Sequence, residues 1–496
     1  MLMKYILGID IGTGSTKAVA LGADFKPLVS AQFHYPTQQR QAGYSEQDSR
    51  LIWEAFLACL DEVISKMGTA PDLVGLSAAM HSLIAVDAAC RPLGDMMTWA
   101  DSRSAAIAGR LKETAEGTAI YLATGTPLHA MSPLCKLIWM RENQAEVFAA
   151  AHKFISIKEY IWYQLFQEFK IEHSMASCTG LFDIHSGEWH LPALAMAGIS
   201  SEKLSGPVST SYRRKGAAAA HLSASLAATS FVIGATDGCL ANVGSQALQP
   251  GVAALTIGTS AAVRIASRSP LLNRARMPFS YILDEETYIC GGAINNGGMA
   301  LQWLLKEVFA VKEVSAEVYE KVFADLSELK PGSDGLLFLP YLTGERAPIW
   351  DEESSGTFFG LKLIHTQAHF ARALLEGICF ALYDVLEGLA EISGDIVQLQ
   401  VSGGFVRSAV WLQILADISG KKIVLVHTED ASAIGAAYFS AKSLGMEIPS
   451  PAEPTENVLH PNPGHHHSYS RYFNLFKQLY VDLKSSMHHL SQLNNS

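Results

Sequence analysis

The sequence predicts an α/β fold built as two related halves, and three observations predict it. Strand-like and helix-like patterns alternate along the chain. A turn of the same spelling, Ile-Gly-Thr, stands between apolar runs at 11–13 and again at 257–259. The chain has 496 residues, 49% of them hydrophobic, whereas single cores stop growing at roughly 250–300 residues. We place the halves at 1–245 and 246–496.

The elements justify this in order. GIDIGTGSTKAVAL, residues 8–21, runs alternating apolar residues into a tight glycine turn and out again, a β-hairpin pattern. Residues 48–68 put Leu51, Ile52, Ala55, Phe56, Cys59, Leu60, Val63 and Ile64 on one helical face. Asp48 or Ser49 serves there as N-cap, and Gly68 lies near the C-cap. LVGLSAAM (73–80) reads as a strand ending on small residues. The stretch 199–229 is polar, then Ala-rich, and reads as a surface excursion before the strand in FVIGATDG. AALTIGTSAAVRI (253–265) repeats the hairpin pattern, as a duplicated domain would. A strand over 396–404 leads to a glycine pair, a helix covers 410–420, and KKIVLV returns as a strand. The tail after Gly445 is Pro-rich, then helical, and packs on the surface.

Composition excludes several classes. A net charge of -11 suits no polyanion partner, because nucleic-acid affinity rests on Lys and Arg at phosphates. The one basic run, Arg213-Arg214-Lys215, reads as a solvated loop. No window offers about 18 uninterrupted apolar residues, so no membrane span is expected. The apolar start meets Asp10 too early for a secretion signal and reads as a first strand. Seven scattered cysteines without a CxxC pair suggest reduced, buried thiols and a cytoplasmic setting. His465-His466-His467 lies in a Pro/Gly-rich stretch and reads as a solvated loop rather than a metal site.

Chemistry concentrates at strand ends. Gly12-Thr13-Gly14-Ser15 can aim backbone N–H groups and hydroxyls at phosphate oxygens, and Lys17 adds positive charge. Asp10, at the lip of the turn, suits Mg²⁺, which takes few carboxylates plus phosphate oxygens and waters. The alternative is an Asx-type turn that only closes the hairpin. Asp237, between Thr236 and Gly238 after an apolar strand, suits a general base. The bland alternative is an ordinary D-G turn. Gly297-Gly298 and Gly403-Gly404 each precede a helix, where phosphate and nucleotide contacts are favoured, although glycine pairs also make plain turns. The chain has neither GxxxxGK[ST] nor GxGxxG. An NAD-dependent dehydrogenase therefore lacks its fingerprint.

Two longer patterns carry a resemblance. MSPLCKLIWMREN (131–143) and GTFFGLKLIHTQAHFARALLE (356–376) match the two signatures of the FGGY carbohydrate kinases, over about residues 4–445. The stretches AAMHSLIAVD, TWADSRS, TGTPLHAMSP, IKEYI, GATDGCLANVG and PYLTGERAPIW are most similar to the members acting on gluconate. Members acting on xylulose share the Met-His pair and the W-x-D-x-R-S pattern and are the close competitor. Glycerol kinases carry Arg-Glu where this chain has Met80-His81.

The resemblance implies two actin-like (ribonuclease H-like) ATPase domains around a central cleft. It implies transfer of phosphate from ATP, with Mg²⁺, to the terminal hydroxyl of a sugar acid, and a homodimer is one option. It assigns Asp237 as the base and Asp10 to the metal. Thr13, Gly14, Ser15, Lys17 and Thr259 fall to the phosphates. Gly298, Gln302, Gly404 and Ser408 fall to the nucleotide, with Ser408 standing where glycerol kinases carry Asn. Met80 and His81 fall to the sugar. An anionic acceptor needs local cations in an acidic protein, and Arg103, His81 and His129 are the candidates. Arg103 has an equal claim to pair with Asp101, and Trp99 to be core rather than pocket wall. The rival from another class is a non-catalytic nucleotide switch of the actin type, which lacks both long signatures.

Overall fold

The computed structural model describes residues 4–217, 222, 225–426, 430–449 and 458–495. In chain order, the elements used below are β1 (Ile6–Ile11), β2 (Ser15–Leu21), β3 (Pro27–His34), α1 (Ser49–Met67), β4 (Leu73–Ala78), α2 (Pro133–Asn143), α3 (Ile157–Phe166), β5 (Lys170–Glu172), β6 (Arg213–Lys215), β7 (Ser230–Thr236) and α4 (Asp237–Gly244). They continue as β8 (Val252–Ile257), β9 (Ala261–Ser267), α5 (Gly298–Trp303), α6 (Gln367–Ser393), β10 (Gln398–Ser402), α7 (Ala409–Ser419), β11 (Lys422–Leu425), α8 (Ala431–Ser443), β12 (Val458–Leu459) and α9 (Pro463–Asn495).

Two units emerge, and they interleave along the chain. The first takes Met1–Leu248, Ala266–Cys290 and Asp430–Pro451; the second takes Gln249–Ile265, Gly291–Glu429 and Ala452–Ser496. Two segments beyond residue 245 thus group with the first unit, which a single cut at that point does not capture.

In the first unit a six-stranded sheet has the order β6-β7-β4-β1-β2-β3. The β1–β2 hairpin is antiparallel, while β4 lies parallel to both β1 and β7. The strands bury on both faces, as their apolar runs require. α1 covers one face. Asp48 caps it by accepting from the Arg50 N–H, and Gly68 ends it at φ 68°. Phe56, Leu60, Trp162 and Phe231 are fully buried in the shared core, each contributing roughly 1.5–3 kcal/mol. Leu51, expected on the inner face, is 38% exposed at the edge of the stripe.

α8 lies on β1, β4 and α4 at a separation only glycine allows. A Cβ on Gly8 would sit 1.8 Å from the Ala433 carbonyl oxygen, and one on Gly75 2.2 Å from that of Ala436. Gly435 comes as close to the Leu240 carbonyl oxygen, 1.9 Å from a would-be Cβ.

The second unit repeats the plan. β8 and β9 form an antiparallel hairpin, β8 runs parallel to β10 and β10 to β11, and β12 closes the edge antiparallel. α6 and α7 pack together beside it. The tail helix α9 is tied down through Tyr469, whose hydroxyl donates to Glu376 Oε1 at 2.8 Å and accepts from Arg372 at 3.0 Å.

Three readings of the sequence are corrected. The histidine triplet is not a loop but the first turn of α9, where His465 Nδ1 lies 2.9 Å from Asp417 Oδ2. Arg213-Arg214-Lys215 is exposed, as expected, but forms the edge strand β6. The 199–229 excursion holds β6 and a further short strand, Gly206–Val208, paired to β5; residues 218–221, 223 and 224 lie outside the described residues, as do 450–457 of the tail. All seven cysteines are free and buried. No described helix is long and apolar enough to cross a membrane.

Candidate active site

Within the first unit, the β1–β2 turn is Gly12-Thr13-Gly14, closed by the Gly12 N–H donating to Ser15 O at 3.0 Å. A Cβ on Gly14 would meet nothing within 4 Å, so the turn is open to a ligand. Asp10 pairs across the hairpin with Lys17 and, on the other side, with Ser77 of β4. Ser77 Oγ donates to its Oδ1 at 2.6 Å. Burial pushes the Asp10 carboxyl up to about 7; the charge of Asp237 and, more weakly, that of Asp430 add to this, while Ser77 and Lys17 oppose it. Lys17 Nζ in turn holds Asp430 Oδ1 at 2.8 Å.

Three carboxylates therefore share one neighbourhood with a single ammonium. That excess of negative oxygen donors fits a hard divalent cation such as Mg²⁺. Among the described residues, no group of three His, Cys, Asp or Glu could hold an ion. The fit is thus to an ion that keeps waters and phosphate oxygens as its other ligands.

The hairpin also shares a cavity with Met80, one of the expected sugar residues. Trp99 Nε1 donates to Thr13 Oγ1 at 2.9 Å, and Gln47 Nε2 donates to the Thr13 carbonyl at 2.5 Å. Thr13, Gln47, Met80, Thr98 and Trp99 line one small cavity. Ser15 Oγ accepts from Gln32.

Asp237 is aimed by an irregular strand. β7 shifts register between Val232 and Ala235, the kind of bulge that re-aims a strand end. Gly234 takes φ 72° there, and a Cβ would lie 1.9 Å from the Leu76 carbonyl oxygen. Thr236 is the N-cap of α4 and Asp237 its first residue, so the carboxylate sits at the positive end of the helix. Its Oδ1 accepts from the Gly238 N–H at 2.7 Å, and its carbonyl accepts from Ser432 Oγ at 3.1 Å.

His81 occupies the left-handed region at φ 64°. Its Nδ1 donates to the Cys178 carbonyl at 2.8 Å, which fixes the tautomer, and its Nε2 lies 3.3 Å from the Tyr281 hydroxyl. Lys136, from the first signature, is buried on α2 and donates to the carbonyls of His81 and Thr98 at 2.6 and 2.7 Å. Burial pulls its ammonium down to about 7. Lys136 thereby ties the Met80-His81 turn to the Trp99 segment.

Arg103 sits in a buried ion-pair cluster, with its Nη1 buried and without a hydrogen-bond partner among the described residues. It donates to Asp101 and to Glu46, both at 2.8 Å through Nη2, and its side chain is 4% exposed. The guanidinium lies 3.8 Å from the centroid of the Tyr44 ring and 4.8 Å from that of Trp139. This is the pairing to Asp101, extended by Glu46. His129 is buried and accepts from the Met131 N–H through Nδ1.

In the second unit the glycine turns converge. The Gly297 N–H donates to the Thr259 carbonyl at 3.0 Å and the Gly298 N–H to that of Gly258 at 2.7 Å. Gly403, at φ 106°, comes so close to Ile257 that a Cβ would lie 2.3 Å from its carbonyl oxygen. Thr259, Gln302 and Gly404 are exposed. Ser408 is buried and caps α7, accepting from the Trp411 N–H at 3.2 Å. Its hydroxyl is thus occupied by the helix.

Sequence reasoning missed Ser77, Gln47 and Asp430. No local signal marks Asp430, which lies 413 residues from Lys17. It also missed Glu345, buried behind the second unit's turns, which accepts from the Asn295 and Arg346 N–H groups.

Comparison with known proteins gives the family. Residues 5–244 match the N-terminal domain of the FGGY family of carbohydrate kinases and residues 253–444 its C-terminal domain. A gluconokinase of Bacillus subtilis (strain 168) is 37% identical over 90% of this chain and 88% of its own length. A xylulose kinase of the same organism is 27% identical over 97% and 98%. The crystal structure of gluconate kinase from Lactobacillus acidophilus superposes at a TM-score of 0.92 with 30% identity, covering 98% of this chain and 100% of that one. The ligand-bound xylulose kinase of that organism gives 0.92 with 31% over the same shares. The fold is the two-domain α/β fold of these actin-like kinases, and the chain belongs to the FGGY family of carbohydrate kinases, a phosphotransferase acting on a sugar hydroxyl with ATP as donor.

Proposed function

We propose that this protein moves the γ-phosphoryl group of ATP to the terminal primary hydroxyl of D-gluconate, giving 6-phospho-D-gluconate and ADP. The observation that carries the chemistry is Asp237: a carboxylate at the end of a bulged strand, on the first residue of a helix, electrostatically coupled to Asp10. It accepts the hydroxyl proton as the oxygen attacks the γ-phosphorus, and the bond to the β-phosphate oxygen breaks, leaving with ADP. The choice of gluconate rests on likeness, since the gluconokinase relative is 37% identical and the xylulose kinase relative 27%.

Each unit supplies its own part. The first contributes the Gly12–Ser15 turn and Lys17 toward phosphate, and Met80 and His81 toward the sugar. The second contributes Thr259, Gly298, Gln302 and Gly404 toward the nucleotide. Asp10, steadied by Ser77, would hold Mg²⁺, which neutralises phosphate charge when bound. The seven free thiols support a cytoplasmic setting.

One assay tests the substrate: gluconate, xylulose, ribulose and glycerol with ATP, read as ADP release and as phosphorylated product. We expect gluconate to lead in kcat/KM by about 100-fold or more. A pentulose in the lead would overturn the choice of acceptor, and the equal superposition on a xylulose kinase makes it the second reading. ATP hydrolysis with no sugar phosphate would replace the kinase by a nucleotide switch.

A further inference from the structure

We propose that Lys158, with Glu172 and Ser174, is a positioning device for Asp237, holding the backbone of the two residues that lead into it. The inference rests on the reading of Asp237 as the base.

Lys158 on α3 and Glu172 at the end of β5 have side chains 0% exposed, and Nζ meets Glu172 Oε1 at 2.6 Å. The same Nζ donates to the Ala235 carbonyl at 2.7 Å. One residue on, the Thr236 N–H donates to Ser174 Oγ at 3.2 Å, and the two hydroxyls lie 3.3 Å apart. The last two residues of β7 are thus gripped by side chains from one short segment, 172–174, and from α3.

The bulge explains why such a grip is needed. Within it, the N–H groups of Ile233 and Gly234 bond outside the β4–β7 ladder, to the carbonyls of Tyr212 and Thr210. After it, Ala235 and Thr236 rejoin β4 opposite Ser77 and Ala78. A strand that has slipped register does not by itself fix the direction of its final residue. Ser77, which meets Ala235 in register, is also the donor to Asp10. The Lys158 grip therefore sets the spacing of two carboxylates together.

Stability alone does not account for the pair. Removing two charges from water is expensive, and apolar residues of similar volume often serve a core as well or better. A Lys–Glu pair aimed at one carbonyl oxygen supplies direction, which Met or Leu in its place would not.

The test uses the full-length protein and the best acceptor of the panel above. Lys158→Met leaves Glu172 buried without its partner and is expected to lower Tm. The double variant Lys158→Met with Glu172→Met restores an apolar match and should recover most of that Tm. Its kcat is expected to stay about 10- to 100-fold below the parent, because small misplacements of a reacting group cost that much. KM for ATP and for the acceptor should stay within about threefold. Ser174→Ala, a milder change, should lower kcat by several-fold with both KM values unmoved. A double variant that regains kcat together with Tm overturns the proposal, as does a loss expressed in KM. So does a double variant that fails to fold, since the pair would then be a requirement of the core. Asp237→Asn is run alongside. If that variant turns over normally, the reading of Asp237 falls as well; if it is inactive while the double variant is active, only the present inference falls.

Discussion

Replacing Asp10 by Asn should stabilise the protein at alkaline pH while removing its activity. The carboxyl is carried from an ordinary 3.8 to about 7, chiefly by burial and then by the charge of Asp237. At about 1.4 kcal/mol per pH unit, keeping it ionised costs the folded state about 4 kcal/mol. The sign follows from proton counting. Between the two values the folded protein holds a proton that the unfolded chain has lost, so stability falls as pH rises from about 4 to about 7. Asn carries no charge and can still accept from Ser77. At pH 8 we therefore expect Asp10→Asn to raise Tm by about 8–16 °C, given 2–4 °C per kcal/mol in a unit of this size. At pH 5 Asp10 is already neutral in the folded protein, and the gain should shrink to under about 2 kcal/mol. Mg²⁺ should stabilise the parent at pH 8 and leave the variant unmoved. Thermal unfolding at both pH values, with and without Mg²⁺, reads all of this. A variant less stable than the parent at pH 8, or one with the same gain at both pH values, would refute the reasoning.

Two further substitutions probe the scaffold. Arg103→Ala takes the closest counter-charge from buried Asp101 and Glu46, leaving Glu46 only Arg40 at 4.0 Å, and should cost about 3–5 kcal/mol in denaturant unfolding. Its acceptor KM, measured on the folded fraction, should stay within about threefold; a tenfold rise at unchanged Tm would return Arg103 to the acceptor. Gly75→Ala drives a methyl to 2.2 Å from both the Ala436 carbonyl and Ser440 Oγ. Separating α8 from the sheet should cost about 1–3 kcal/mol, and an unchanged Tm would show that α8 does not rest on β4 as described.

Much of this molecule is legible in short stretches of its sequence because the signals are local. Two-residue alternation running into Gly-Thr gives both hairpins, and Asp48 with Gly68 marks both ends of α1. The strand-to-helix glycine turns at 297–298 and 403–404 are local for the same reason. What escaped depends on partners far away in the chain. Lys17 gives no local sign of its ion pair with Asp430, which arrives from α8's end of the sequence. Arg103 gives no local sign of its ion pair with Glu46 or of the Tyr44 and Trp139 rings beside it. The His465 triplet looks like a solvated loop because Asp417, which meets it, is 48 residues away. The β7 bulge leaves only Gly234 as a trace, and a lone glycine in a strand has several other meanings.

The central claim is that Asp237 takes the proton from the acceptor. Asp237→Asn keeps the shape of the site and removes the base, so single-turnover phosphoryl transfer should fall by about 1,000-fold or more, while nucleotide affinity stays within a few-fold. Phosphoryl transfer at the parent's rate by a folded, nucleotide-binding Asp237→Asn protein would contradict it.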